Sequence, residues 1–344
     1  MKLDPRKLQI LQAIIDDYII TAEPVGSRTV AKKYGLGISS ATIRNEMSDL
    51  EDMGFLEQPH TSAGRIPSDK AYRLYVDKIM QVKSLQFDEA DSFKRLYEAK
   101  ITQIEEVIFH TAKILSDITK YTSMVLAPQL SKVIIKHIQL VPVDSQYALL
   151  VVATSSGIMK DTLVNIPEGI DSDYLHKISN ILNEQFKDKT FDQVDIDSVS
   201  HIQQDFLKNR RFFDSMVDVL TERFADSEQR EVYLGGTTKI FNFPEYQDII
   251  RARSFLNLME EKNLLYRMLV NSGDNGVSIS IGAENKYEEL RDCSIVSATY
   301  RMGDRILGTI GIIGPTRMEY SKAVSVMDYM GKALSQYLTK LYGK

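Results

Sequence analysis

The sequence predicts an α+β protein of several domains: an N-terminal winged helix-turn-helix, followed by an α/β sheet domain that an insertion interrupts. Three observations predict this architecture. The chain has 344 residues, more than one hydrophobic core usually serves. Residues 1–83 contain helical patterns, a short strand and a polar loop in the order of a winged helix. Strand-like patterns then occur on both sides of a charged and more helical block at residues 188–248.

The N-terminal domain begins with three predicted helices. Apolar residues recur at helical spacing over residues 5–20, and a second, short helix fits residues 28–34. A tight turn, GLG, precedes the third helix. Ser39 or Ser40 can cap that helix, because a serine hydroxyl accepts a hydrogen bond from an early backbone N–H. The third helix is predicted to end near Met53.

The third helix carries polar side chains opposite its apolar stripe of Ile43, Met47 and Leu50. The residues predicted on the polar side are Ala41, Thr42, Arg44, Asn45 and Ser48. Arginine and asparagine can each form two bonds to a base edge, and serine or threonine can bond a base or a phosphate. Early hydroxyls such as those of Ser39 and Ser40 can also bind a phosphate at the helix N-terminus. We predict that this surface contacts DNA. For the segment SSATIRNEM alone, an ordinary solvated helix with a serine cap is the commoner explanation.

The ribbon after the third helix is predicted to be the wing. Residues 55–57 have a strand pattern, residues 58–67 (QPHTSAGRIP) form a polar loop, and Ser68 caps a helix that continues to about Lys83. The tip of such a loop can lie along the DNA backbone or enter the minor groove. Four residues of the loop are therefore predicted DNA contacts: His60, Thr61, Ser62 and Arg65. The alternative is a surface loop that carries a single arginine.

The distribution of charge also predicts that DNA binds the N-terminal domain. The whole chain has a formal net charge of −5, which argues against general binding of polyanions. Residues 26–45 nevertheless contain four basic residues and no acid: Arg28, Lys32, Lys33 and Arg44. A small cationic surface on an acidic body directs a phosphate backbone to one place. Arg28 and Lys32 are therefore included among the predicted DNA contacts.

The remaining chain is predicted to alternate between helices and strands. The predicted elements are a helical connector at 88–120, strands within 131–168, a helix at 172–186, helical stretches at 198–225, a helix at 249–269, strands after the turn at 271–276, and a closing helix at 319–341. The resulting domain boundaries are 1–83 for the winged helix, 84–187 and 249–344 for the two parts of the sheet domain, and 188–248 for the insertion.

No catalytic, metal-binding or cofactor-binding pattern is found. The five histidines are scattered without the spacing of zinc ligands, and GTIGIIG lacks the spacing of a dinucleotide-binding loop. Cys293, the single cysteine, has no cysteine-hydrolase signature around it, so a buried and inert thiol is expected. No apolar stretch is long enough for a signal peptide or a membrane span. We therefore expect a cytoplasmic protein that is not an enzyme and has no membrane partner.

Residues 5–80 and a later segment closely resemble the HrcA family of heat-inducible transcription repressors. The segments that carry the resemblance are SSATIRNEM, QPHTSAGRIP and GTIGIIGPTRMEY, and the length and order of the remainder also fit. The resemblance implies a homodimer that binds an inverted-repeat operator, called CIRCE, upstream of chaperone operons. It implies that the sheet domain is GAF-like and that the insertion is dimerising. It also implies that the GroE chaperonin assists the repressor in reaching its DNA-binding form.

The response to heat is a hypothesis built on this resemblance. Loss of the competent fold at elevated temperature would empty the operator, because domains are only marginally stable. Two other kinds of protein remain alternatives. The chain could be a ligand-sensing or enzymatic α/β protein with an accessory DNA-binding domain, or a scaffold for protein partners, which the paired helix and wing disfavour.

Overall fold

A computed structural model gives the structure of residues 3–60, 63–82, 104–128, 134–155, 159–194, 210–221, 231–271, 276–303 and 305–342. The N-terminal domain has the predicted winged-helix order. Its elements are α1 (Pro5–Thr21), α2 (Ser27–Tyr34), α3 (Ser40–Asp52), β1 (Leu56–Glu57), β2 (Ile66–Pro67) and α4 (Asp69–Leu74). The helix predicted to reach Lys83 is shorter, since α4 continues only as a π-helical turn, Tyr75–Ile79, and Met80 is extended.

Side-chain caps set where these helices begin. The Asp4 carboxylate accepts a hydrogen bond from the Arg6 N–H at the start of α1. Ser39, and not Ser40, caps α3, and Ser68 caps α4 by accepting from the Ala71 N–H. Each cap satisfies a backbone donor that has no partner within its own helix.

The rest of the described chain forms two separate antiparallel sheets and their helices. In chain order its elements are α5 (Ile104–Thr119), β3 (Thr122–Leu126), β4 (Ile135–Pro142), β5 (Tyr147–Thr154), β6 (Met159–Asn165), α6 (Ser172–Phe186), α7 (Arg210–Asp218), β7 (Val232–Gly235), α8 (Ile249–Glu260), α9 (Lys262–Val270), β8 (Val277–Ile281), β9 (Cys293–Met302), β10 (Arg305–Pro315) and α10 (Tyr320–Tyr342). Among the described residues, no helix is apolar over a length that could cross a bilayer.

The larger sheet has the strand order β7-β3-β10-β9-β8. Helices α5 and α10 pack on one face of it, where they share a core with the winged-helix domain. Helices α8 and α9 pack on the other face around a second core. The sheet therefore lies between two helical layers, and the winged helix docks directly on it.

The smaller sheet has the strand order β4-β5-β6, and helices α6 and α7 cover one of its faces. This unit lies between β3 and β7 in the sequence, so it is the segment that interrupts the larger sheet. The boundaries predicted from the sequence differ from this arrangement: they place the strands of residues 131–168 in the interrupted domain and the insertion at 188–248. The apolar pattern of β4 to β6 resembles that of β8 to β10, and strand pairing, which separates them, is not visible in a sequence.

Polar contacts fix the winged helix on the larger sheet. Arg73 of α4 donates hydrogen bonds to the Glu284 carboxylate and, at 2.8 Å, to the carbonyl of Ile279 on the edge strand β8. The Asp69 carboxylate accepts from the Ala283 N–H at 2.8 Å. Arg317, which is buried, donates to Glu245 and to the Ile19 carbonyl at the end of α1. These bonds connect the position of the winged helix to the geometry of the sheet edge.

Candidate nucleic-acid interface

The polar face of α3 is open to solvent, as the sequence predicts. Arg44, Asn45 and Ser48 are exposed, while the apolar stripe of the same helix is buried in the domain core. No ion pair or hydrogen bond within the described residues engages the Arg44 guanidinium or the Asn45 amide. Both side chains are therefore free to bond an external partner.

The start of α3 is held by its own hydroxyls. The Ser39 hydroxyl accepts a hydrogen bond from the Thr42 N–H at 3.1 Å and lies 2.9 Å from the Thr42 hydroxyl. Ser39 is exposed, whereas Ser40 and Thr42 are half-buried. The predicted DNA contact of Ser39 must therefore coexist with its capping bond, which serine allows because its oxygen has two lone pairs and one proton.

Cations from α1 neutralise the acids on another side of α3. The Lys7 ammonium lies 2.6 Å from the Glu46 carboxylate and 2.9 Å from that of Asp49, and Arg6 lies 3.7 Å from Glu46. Hydrogen bonds to Glu46 and then Asp49 raise the pKa of Lys7 above its ordinary value, so Lys7 stays charged. This role of Lys7 is not among the predictions from sequence. The signal for it is the spacing of Glu46 and Asp49, which lie one helical turn apart and therefore face the same neighbouring helix.

Helix α2 provides exposed cations beside α3. Arg28 and Lys32 are exposed, and no ion pair within the described part of the chain involves them. Lys33 differs, because its ammonium pairs with the buried carboxylate of Asp17 in α1. Of the three α2 bases in the cationic segment, two are thus available for phosphate and one stabilises the domain.

The wing is a small antiparallel ribbon. Leu56 pairs with Pro67 and Glu57 with Ile66. A third segment joins it through Val25, whose N–H and carbonyl each bond Arg65 at 2.9 Å. This pairing fixes the wing against the chain that enters α2.

At the wing tip, His60 is exposed, as predicted. Thr61 and Ser62 lie outside the described residues, so their predicted contacts are not addressed by the structure. The Arg65 side chain does not project from the tip. Its guanidinium bonds the Glu51 carboxylate at 2.7 and 2.8 Å and holds the wing against α3. The sequence predicts Arg65 as a DNA contact because nothing local reveals its partner, Glu51, which lies fourteen residues earlier and meets Arg65 only through the folded ribbon.

At Gly64, the wing packs closely against the backbone of the segment that precedes α2. A Cβ atom on it would lie 2.5 Å from the carbonyl carbon and oxygen of Val25. We expect Gly64→Ala to displace the wing and to destabilise the protein by about 1–3 kcal/mol, a typical cost of overpacking. Thermal unfolding and DNA binding by fluorescence anisotropy would measure both effects. Gly26→Ala is the matched control, since its Cβ would meet nothing nearer than 3.9 Å. Equal stability and affinity of the two variants would contradict this role for Gly64.

Two other kinds of site, a metal centre and a reactive cysteine, can be assessed in the described part of the chain. No group of three metal-ligating side chains occurs among the described residues. Burial raises the pKa of the Cys293 thiol to about 11, so the thiol is protonated at neutral pH. Cys293 is buried, as the sequence predicts.

Comparison with known proteins identifies close relatives. Residues 2–81 match the family described as "Winged helix-turn-helix transcription repressor, HrcA DNA-binding", and residues 105–324 match "HrcA protein C terminal domain". Proteins named heat-inducible transcription repressor HrcA are 46% identical in Ruminiclostridium cellulolyticum and 45% identical in Acetivibrio thermocellus. The first match covers 99% of both chains, and the second covers 100% of this chain and 99% of the relative. A solved structure described as a hypothetical protein is 25% identical, with a TM-score of 0.69, over 99% of this chain and 100% of its own.

Proposed function

We propose a function from one premise: this chain belongs to the HrcA family of heat-inducible transcription repressors, and its winged helix is a DNA-binding domain. The protein binds an inverted-repeat operator of the CIRCE type as a homodimer and blocks transcription of chaperone operons. The observation that carries this proposal is the exposed and unpaired face of α3, with Arg44 and Asn45 at its centre.

The proposed docking places α3 of each copy in a major groove. Arg44 and Asn45 then lie at base edges, where each can form two bonds. Arg28 and Lys32 of α2 flank that helix and contact phosphates, and these contacts give affinity without base preference. Pairing of Glu46 and Asp49 with Lys7 supports this arrangement, because it reduces repulsion between α3 and the DNA backbone. The wing, held by Arg65, presents His60 to the backbone. The predicted contacts of Thr61 and Ser62 belong to the same proposal.

The proposed dimer forms through the open face of the smaller sheet. Val141, Leu149 and Leu163 form one cross-strand row on the face that α6 and α7 do not cover. Val141 and Leu163 are 43% and 51% exposed, and Met159 on the same sheet is 68% exposed. Contiguous apolar surface of this kind is unusual on a monomer and typical of a protein interface. We infer that a second copy covers it, since two-fold symmetry of the protein then matches the inverted repeat.

The proposed heat response acts on the same assembly. The five-stranded sheet is the GAF-like domain of the family, and it fixes the winged helix through Arg73 and Arg317. Loosening of this docking or of the dimer at high temperature would move the two α3 helices out of register with the operator. Chaperonin GroE would recover the competent form in the cytoplasm. An apolar surface that is exposed before dimerisation supports this, because chaperonins bind such surfaces.

Fluorescence anisotropy on purified full-length protein tests this proposal. The probes are an inverted-repeat duplex and the same duplex with one half-site scrambled, each titrated from growth temperature into the stress range. We expect strong binding only to the intact repeat. Heating should weaken that binding, and adding chaperonin with ATP should make the loss smaller. Equal affinity for both duplexes, or full affinity through the stress range without chaperonin, would contradict the proposal.

A further inference from the structure

A cavity of about 330 Å³ opens on the face of the larger sheet that α9 covers. Its floor is made by the edge strand β8 and its neighbour β9, and Met268 of α9 and the loop after β8 form its walls. Ser278 and Ser297 lie directly opposite each other on the two strands, and Ser280 follows on the same side. Serine hydroxyls therefore line the floor of the cavity. Strands that only fill a hydrophobic core carry apolar side chains at such positions.

Ser297 is the unusual residue of this floor. Only 2% of its surface is exposed, and within the described chain its hydroxyl forms no hydrogen bond. The Ser297 oxygen is not sealed off by protein atoms, because it opens into the cavity. A polar atom placed in the cavity can therefore form a hydrogen bond with it, in a setting that is otherwise largely shielded from water.

The charges around the cavity favour an anion. Arg267 and Lys286 lie in its lining, and both are exposed. Glu284, the acid of the same lining, is already paired with Arg73 of the winged-helix domain. Partial burial opposes ionisation of Glu284, but hydrogen bonds from Arg73 and the Ile281 N–H outweigh it and lower its pKa. The two cations are thus left without an acidic partner in the cavity.

We propose that this cavity binds a small organic carboxylate that also carries a hydroxyl group. Arg267 and Lys286 hold the carboxylate, the hydroxyl bonds Ser297 and Ser278, and the carbon skeleton lies against Met268. A few convergent polar groups in a partly apolar concavity are the usual composition of a small-molecule site.

Occupancy of the cavity has a path to the DNA-binding domain. Arg73 of α4 bonds both Glu284, in the cavity wall, and the carbonyl of Ile279, in its floor. A ligand that shifts either group changes the docking of the winged helix. The coupling between the ligand and operator affinity rests on the proposed function. Binding of the ligand to the cavity does not depend on it.

The test of the site uses the full-length protein with malate, 3-phenyllactate and citrate, and glycerol as the uncharged comparison. We expect at least one carboxylate, and not glycerol, to raise the melting temperature and to give a saturable calorimetric titration. Ser297→Val and Arg267→Ala should each weaken that binding about tenfold or more, as loss of a charged or buried hydrogen bond does. Ser278→Ala is a milder variant should Ser297→Val fail to fold. Arg253→Ala, an exposed arginine on α8, should bind like the wild type.

The outcomes separate the site from the proposed function. Absence of binding by all three carboxylates, or equal binding by the wild type and every cavity variant that folds, overturns the site. For the coupling, the carboxylate should change operator affinity in the wild type. The double variant Arg73→Ala, Glu284→Gln, which leaves no unpaired acid in the lining, should abolish that change while still binding the carboxylate. Operator affinity that the bound carboxylate leaves unchanged overturns the coupling. If the protein bound a carboxylate but no operator, the proposed function would be contradicted and the proposed ligand site would still stand.

Discussion

Replacing Arg44 with alanine is expected to weaken binding to the operator by about 1–3 kcal/mol and to relax base preference at one position in each half-site. The side chain is exposed and has no partner among the described residues, so its removal costs the fold little. The loss arises at a base edge, where an arginine can form two hydrogen bonds that alanine cannot replace. Fluorescence anisotropy at several salt concentrations measures the effect.

Two comparisons make the Arg44 result specific. Lys32→Ala removes an exposed cation of α2, so it should weaken specific and non-specific DNA alike and reduce the salt dependence by about one counterion. Arg253→Ala removes an exposed arginine far along the chain and should change neither quantity. If Arg44→Ala matched the wild type on the operator at every salt concentration, α3 would not be the base-contacting element.

Replacing Leu163 with glutamate is expected to convert the proposed dimer to a monomer. Leu163 lies on the edge strand β6, at one end of the cross-strand row on the open sheet face, and its side chain is 51% exposed in the single chain. A carboxylate there costs the monomer little, because water solvates it. In the dimer, it would be buried without a partner, which costs several kcal/mol for each copy. Sedimentation equilibrium measures the change in mass.

Operator binding should fall together with the dimer, because one copy occupies only one half of an inverted repeat. The matched control is Ile249→Glu on α8. Ile249 is 82% exposed and belongs to the larger sheet domain, so this variant should remain a dimer. A Leu163→Glu variant that stays dimeric, with an unchanged dissociation constant, would remove the open sheet face from the interface.

The N-terminal domain could be predicted from its sequence because its signals are local. Helical spacing, a serine cap and the GLG turn act within a few residues, and they gave α1 to α3 and the exposed face of α3. The sequence left the cap of α3 as either Ser39 or Ser40, because either serine precedes the helix closely enough to accept a bond from an early backbone N–H.

The errors arose where distant segments meet. The sequence did not separate β4, β5 and β6 from the larger sheet, because strand pairing depends on contacts between segments far apart. The pairing of Arg65 with Glu51 and of Lys33 with Asp17 was missed for the same reason. A basic residue in a favourable segment is available for DNA only when the fold leaves it without an acid.

Docking of the winged helix on the sheet also could not be predicted. It depends on Arg73, Asp69 and Arg317, which meet partners more than seventy residues away. A Cβ atom at Gly282 would overlap the Asp69 carboxylate, so this glycine is required by contact between domains. The backbone of Gly282 also has positive φ, at +51°, which favours glycine.

Selection of DNA sequences from a random pool by the purified full-length protein tests most directly whether the α3 face contacts bases. The wild type should enrich an inverted repeat with two equal half-sites. The double variant Arg44→Ala, Asn45→Ala should keep non-specific affinity and lose enrichment at one or two positions of each half-site. Enrichment of the same repeat, to the same degree at every position, by both proteins would contradict the account.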